Sequence, residues 1–113
     1  MAATFQNFVQ AQYVAASLTD YLTVSASTRI RIDKMTVINQ SAGPETITVA
    51  IAPGGVTADN KHRIYIAKSI PADGIPVELT SMAGRILEAS DVVRAMASTL
   101  DTMAIWIDGV LFN

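Results

Sequence analysis

The clearest pattern in the chain is a strict alternation of polar and apolar residues over positions 45–51. The alternation places Ile47, Val49 and Ile51 on one face of a β-strand, because successive side chains of a strand point to opposite faces. The segment 53–55 (Pro-Gly-Gly) follows at once and predicts a turn, since Pro lacks an amide hydrogen and Gly tolerates positive φ.

A second strong pattern lies upstream, over residues 29–39. Ile30 and Ile32 alternate with polar residues, and the alternation resumes at Met35 in the opposite parity. One extra residue near Asp33-Lys34 would reconcile the two halves, because a β-bulge reverses the facing of the residues beyond it. The segment is therefore predicted to be one long, bent strand.

Shorter alternating segments predict the remaining strands. They cover residues 9–14, 21–24, 64–67, 75–79, 103–107 and 110–112, with a hairpin or bulge signal at Asp108-Gly109. The apolar members of the clearest alternating strands form the predicted core: Ile47, Val49, Ile51, Ile64, Ile66, Ile105 and Ile107.

Residues 81–100 fit two structures equally well. Ile86, Val93 and Leu100 fall near helical spacing, and this segment is rich in helix-favouring residue types. The alternative is two strands, 84–87 and 92–97, joined by a turn at 88–91.

About eight strands at regular spacing predict an all-β fold, a single antiparallel β-sandwich or jelly-roll-like domain. We expect an N-terminal arm at residues 1–8 and the sandwich domain at 9–113.

Composition and charge narrow the function. Half of the 113 residues are apolar and only 16% are charged, which fits either a surface partly covered by partners or a Thr- and Ser-rich domain. The net charge of −2 is scattered, with no basic stripe, so neither nucleic acid nor a membrane surface is an expected partner. Without Cys, disulfides and thiolate metal sites are excluded, and we expect neither a signal peptide at residues 1–8 nor a membrane span.

No constellation of residues predicts catalysis. His62 is the only His and stands between Lys61 and Arg63, as expected of a solvated loop residue. The acidic residues fall mostly at predicted turns, and no nucleophile elbow, P-loop or calcium-loop spacing is present. We therefore expect no enzyme activity, no catalytic residue, no metal site and no cofactor.

Four aromatic residues are the candidate interface. If the Ile residues on either side of Trp106 and Tyr65 point inward, these two rings point outward, where large aromatic residues favour protein contacts. Phe5 and Phe8 precede the first clear strand and belong either to a docking arm or to a frayed end.

The order of these features resembles a family of small virion proteins of tailed bacteriophages. The matching segments run from about residue 10 to 110: a long strand ending in V-x-N at 37–39, an alternating strand closed by Pro-Gly-Gly at 55, an I-x-A-x-G turn at 70–74, an LEAGD-like segment at 87–98 and a [SD]-G-V segment at 108–110. This chain has Ser90 where the family tends to have Gly.

The resemblance implies a β-sandwich that takes part in a virion, and it implies strands over residues 81–100. The expected function is that of a non-enzymatic capsid cement or decoration protein, assembled in the host bacterial cytoplasm and located in the virion. Its partners would be the major capsid protein or another virion protein, and it would form a homo-oligomer, a dimer or a trimer. A tail, neck or baseplate component and a carbohydrate-binding module are the alternatives.

Overall fold

The structure, a computed structural model, describes residues 3–57 and 60–113 and consists of two antiparallel β-sheets. The strands are β1 (Ala3–Tyr13), β2 (Thr19–Thr23), β3 (Arg29–Asn39), β4 (Glu45–Ala52), β5 (Arg63–Ile70), β6 (Val77–Glu78), β7 (Ile86–Leu87), β8 (Val92–Ala97) and β9 (Met103–Phe112). Single 3₁₀ turns lie at Pro53–Gly55, Asn60–His62 and Thr80–Met82. Within the described ranges, no helix has the length and apolarity to cross a membrane. The all-β prediction is confirmed.

The strand order is that of a jelly roll. Sheet A has the order β1-β9-β3-β6, with β7 also paired to β3, and sheet B has the order β2-β8-β4-β5. The first strand thus pairs with the last, the second with the penultimate, and β4 with β5. This nesting is what results when one long hairpin is rolled into two facing sheets.

The core lies between the sheets and confirms most of the predicted inward faces. Ile47, Val49, Ile105 and Ile107 are fully buried, while Ile51 and Ile64 are partly buried and pack against the same cluster. Burying an aliphatic side chain of this size contributes roughly 1.5–3 kcal/mol. These contacts hold the two sheets together.

The prediction for Ile66 is wrong, because β5 carries a bulge. Ile47 pairs with Lys68, whereas Val49, two residues on, pairs with Tyr65, three residues back. The extra residue on β5 coincides with a left-handed backbone at Ala67 (φ 47°). Ile66 is consequently turned to solvent, with 64% of its surface exposed.

The predicted bulge in β3 is confirmed. Ile32 pairs with Gly109 and Lys34 with Asp108, so Asp33 is the extra residue. At the far end of the strand, the buried Asn39 amide donates hydrogen bonds to the carbonyls of Ile70 (2.9 Å) and Gly43 (3.0 Å). These bonds tie the end of β3 to sheet B, which explains an Asn at the end of this strand.

Residues 81–100 form strands with a tight turn between them. The carboxylate of Asp91 accepts hydrogen bonds from the backbone N–H groups of Glu88 and Gly54, both at 2.9 Å. Ser90 lies in the left-handed region with φ 72°. A positive φ favours Gly, which is the residue type that the sequence resemblance led us to expect at this position.

The structure has no boundary at residue 8, where the sequence suggested that an arm would end. Residues 3–8 are the first half of β1, which pairs with β9 from Ala3 to Tyr13, while residues 1 and 2 lie outside the described part. Phe8 is half-buried and packs against the core.

Strand β9 continues without a turn through Asp108-Gly109, where the sequence predicts a hairpin or a bulge. A Cβ atom at Gly109 would lie 2.1 Å from the Arg31 carbonyl oxygen and 3.1 Å from the Phe8 ring. Gly is required here because backbone and ring approach too closely for any side chain.

We expect Gly109→Ala to lower the free energy of unfolding by about 2 kcal/mol or more, because the added methyl group would overlap backbone that cannot yield easily. Gly43→Ala is the matched control, since a Cβ at Gly43 meets nothing within 4 Å. Denaturant titration of the two variants measures the difference, and equal unfolding free energies would contradict the assigned packing.

We expect Ser90→Gly to raise the free energy of unfolding by up to about 1 kcal/mol, because Gly adopts the left-handed conformation without a steric cost. Ser69→Gly, in the extended backbone of β5, should lower it, because there Gly only adds chain entropy to the unfolded state. Thermal unfolding of the two variants tests the opposite signs.

Candidate interaction surface

The described residues contain no group of three or more His, Asp or Glu side chains placed to hold a metal ion. His62 lies in the 3₁₀ turn before β5, half-buried rather than in a solvated loop. It lines a shallow groove that Asp91 and Arg85 also border. The absence of enzyme activity stays a prediction.

The surface that stands out is the solvent side of sheet A, which we name the A-sheet outer face. Met103, Ile105 and Ile107 of β9 point into the core, so the alternate residues of β9 and their partners on β1, β3 and β7 point outward. The apolar residues on this face are Phe5, Tyr13, Ile38, Ile86, Ala104, Trp106, Val110 and Phe112.

Trp106 occupies the middle of this face. Its ring is half-buried and borders a shallow groove of about 240 Å³, together with Tyr13, Gln12 and Gln40. The Tyr13 hydroxyl donates a hydrogen bond of 3.1 Å to the Gln40 side-chain oxygen. The groove therefore combines the rings of Tyr13 and Trp106 with the side-chain amide of Gln40.

Phe5 is the most exposed large apolar residue among those described, with 83% of its surface open. It lies on β1 directly opposite Val110, which is only 4% exposed although it belongs to the outer face. Ile86 lies on β7, at the opposite edge of the same face, and is also exposed. Exposed apolar side chains thus lie at both edges of this face, with Arg31 between Val110 and Ile86 in the same row.

Two cations on and beside this face form ion pairs. The Arg31 guanidinium lies 2.7 Å from Asp33, and the Arg29 guanidinium 2.7 Å from Glu88. The hydrogen bond to Asp33, with the charge of that carboxylate, raises the pKa of Arg31, so this cation stays charged at any physiological pH. Asp108 accepts a hydrogen bond from the Asn7 amide and lies opposite the exposed Lys34 of β3. The face therefore combines apolar residues with a few charged groups.

The outer side of sheet B has a different character. Arg94 forms an ion pair with Asp20 (2.5 Å) and donates a hydrogen bond to the Val56 carbonyl (2.7 Å). Ala50, beside it on β4, is fully buried. These contacts cover the middle of this side, while Ile66 on the edge strand β5 stays exposed.

The structure separates the four predicted interface residues into two pairs. Phe5 and Trp106 lie together on the A-sheet outer face, as the outward parity of Trp106 predicts. Phe8 and Tyr65 pack against the core instead. The Tyr65 hydroxyl accepts a hydrogen bond of 2.8 Å from the Ser81 N–H, and the Lys68 ammonium lies 5.9 Å from the centre of its ring. The outward orientation predicted for Tyr65 is therefore wrong, and the bulge in β5 is the reason.

The pattern of the sequence does not mark Tyr13, Ile86 or Phe112 as surface residues. Their position follows from cross-strand pairing with β9 and β3, and only Tyr13 carried a sequence signal, at the end of an alternating segment.

Comparison of the chain with family models, with curated proteins and with solved structures gave no match.

Proposed function

We propose that the chain is a non-enzymatic structural protein of a tailed-phage virion, and that it decorates the outside of the capsid and strengthens contacts between capsomers. In this role the A-sheet outer face binds the shell. The major capsid protein is the proposed partner, and the virion is the proposed location.

The outer faces of the two sheets differ in how many apolar side chains they present, and this difference carries the proposal. Sheet B carries the Arg94–Asp20 ion pair over buried small residues and has one exposed large aliphatic residue among those described, Ile66 of its edge strand β5, whereas sheet A presents aromatic and aliphatic side chains from β1, β9 and β7. Extended apolar surface of this kind is typical of binding sites. A protein that works by adhesion needs such a face and needs no catalytic group.

Two further observations support a virion role. The jelly roll is an architecture of viral capsid proteins, although the same fold also serves lectins, so by itself it does not decide the function. The segments that resemble phage virion proteins are the bulged β3, the Pro-Gly-Gly turn and the turn at 88–91, and each has a definite role in shaping this fold.

A tail, neck or baseplate location is the main alternative, and copy number distinguishes it. A cement protein is present in numbers that follow the capsomers of the shell, because it repeats with shell symmetry. A neck or baseplate protein is present in a small fixed number. Quantitative mass spectrometry of purified particles measures this number, and absence of the protein from particles would refute both roles.

The groove beside Trp106 favours one other candidate, a carbohydrate-binding module. Two aromatic rings and the Gln40 amide line it, and polar groups beside apolar surface are typical of small-ligand sites. A glycan array probed with the purified protein tests this candidate. Binding that is lost in Tyr13→Ala would support it.

We expect Trp106→Ala to weaken binding to shells that lack the protein by about 2 kcal/mol or more, because a half-buried Trp at the centre of a contact carries much of its energy. The free energy of unfolding should fall by no more than about 1 kcal/mol, since the ring lies outside the core. Co-sedimentation with shells and denaturant titration measure the two quantities.

Leu100→Ala is the matched control for this measurement. Leu100 is also a large exposed apolar residue (60%), but it lies in the loop between β8 and β9. The variant should bind shells normally. Loss of fold stability in Trp106→Ala, with shell binding retained by the folded fraction, would refute the role of this face.

A further inference from the structure

Four sheet edges run along the two sheets, and three of them are protected against pairing with another chain. The β2 edge is five residues long and carries Asp20, and the β6 and β7 edge consists of strands of two residues each. The β5 edge carries Arg63 and Lys68 and is interrupted by bulges. Short length, charge and bulges are the usual devices that prevent edge-to-edge association.

The β1 edge lacks most of these devices. Strand β1 has eleven residues with neither a charge nor a Pro among them, and nine of the eleven are exposed. It is the terminal strand of sheet A, and within the described ranges its only strand partner is β9. An uncharged edge of this length is a template for pairing with a further strand.

The open part of this edge is its first half. Register shifts interrupt pairing with β9 around Phe8 and again between Val9 and Gln12, and the Tyr21 hydroxyl lies 3.5 Å from the Tyr13 carbonyl oxygen. From Ala3 to Asn7 the pairing with β9 is unbroken. Among the described residues, no backbone group outside β9 hydrogen bonds to this stretch.

We infer that the occupant of this edge is a second copy of the chain, whose Ala3–Asn7 segment pairs antiparallel with the same segment of the first. An antiparallel pair of identical strands is related by a two-fold axis, so one surface satisfies both partners. The axis passes beside Phe5, the middle residue of the open stretch. Sheet A then continues across the axis into the sheet A of the second copy.

The residues of the segment are compatible with this pairing. The two Phe5 rings face each other across the axis, Thr4 faces Gln6, and Ala3 faces Asn7, so no like charges meet. The ring of Phe5, 83% exposed in the single copy, gains an aromatic partner. Five residues on each strand provide about five backbone hydrogen bonds, which is near the lower end for protein interfaces and predicts a weak dimer.

The dimer joins the A-sheet outer faces of two copies into one surface, because Phe5 and Trp106 lie on the same side of the sheet. This consequence rests on the proposed function, in which that surface binds the shell at repeated sites. The association itself is a property of the purified protein and is measured without any shell.

The test replaces Phe5 by a charged residue, so that like charges meet at the two-fold axis in each single variant and opposite charges meet in a mixture of the two. Analytical ultracentrifugation of the wild-type protein over a wide concentration range should show a monomer–dimer equilibrium. Phe5→Lys should weaken the dimer about tenfold or more, because two ammonium groups replace the aromatic pair. Phe5→Glu should weaken it similarly, whereas an equimolar mixture of the two variants should form a heterodimer, because Lys then faces Glu.

Leu100→Lys, which adds the same charge at an exposed apolar residue away from β1, is the control and should dimerise as the wild type does. Thermal unfolding of the Phe5 variants verifies that they fold. A wild-type protein that stays monomeric, a Phe5→Lys variant that dimerises normally, or a mixture that forms no heterodimer would each overturn the inference.

Shell co-sedimentation separates this inference from the proposed function. A monomeric wild-type protein that binds shells overturns the dimer and leaves the virion role intact. A dimer that behaves as expected in the charge test but binds no shell supports the inference and refutes the proposed function.

Discussion

The fit of β9 between β1 and β3 is the constraint on which the rest of the structure depends. The last strand of the chain has to insert between the first and the third, so sheet A is complete only when both ends of the chain have come together. Gly109 and the bulge at Asp33 make this insertion possible, because they let the backbones of β9 and β3 approach within a distance that leaves no room for a Cβ atom. Phe8 then covers the glycine from the side of β1.

The same insertion determines which surfaces remain for binding. With β9 in place, Ile105 and Ile107 fill the core, and the residues between them on the strand face solvent. Trp106 is thereby held at the centre of a rigid sheet rather than on a loop, so little conformational entropy is lost when a partner covers it. The position of β9 also leaves β1 at the rim of the sheet, where no other described backbone group pairs with Ala3–Asn7.

The protected sheet edges and the ion pair on the outer side of sheet B both limit the surface at which another chain can pair with this one. Charged residues, bulges and very short strands protect the edges other than that of β1, and the ion pair of Arg94 with Asp20 closes the outer side of sheet B. Among the described residues, the β1 edge is therefore the sheet edge least protected against pairing with another strand.

Local patterns in the sequence determined much of this fold. Period-two alternation predicted the strands, their inward faces at Val49 and Ile107, and the bulge at Asp33, because side-chain facing in a strand depends only on neighbouring residues. Cross-strand register decided the rest. The bulges of β5 expose Ile66 and turn Tyr65 inward, and Phe5 became part of an open edge only because β1 pairs with β9 on one side. Such outcomes depend on pairing between residues that are 13 to 25 positions apart in β4 and β5 and 91 to 109 positions apart in β1 and β9, which no local pattern encodes.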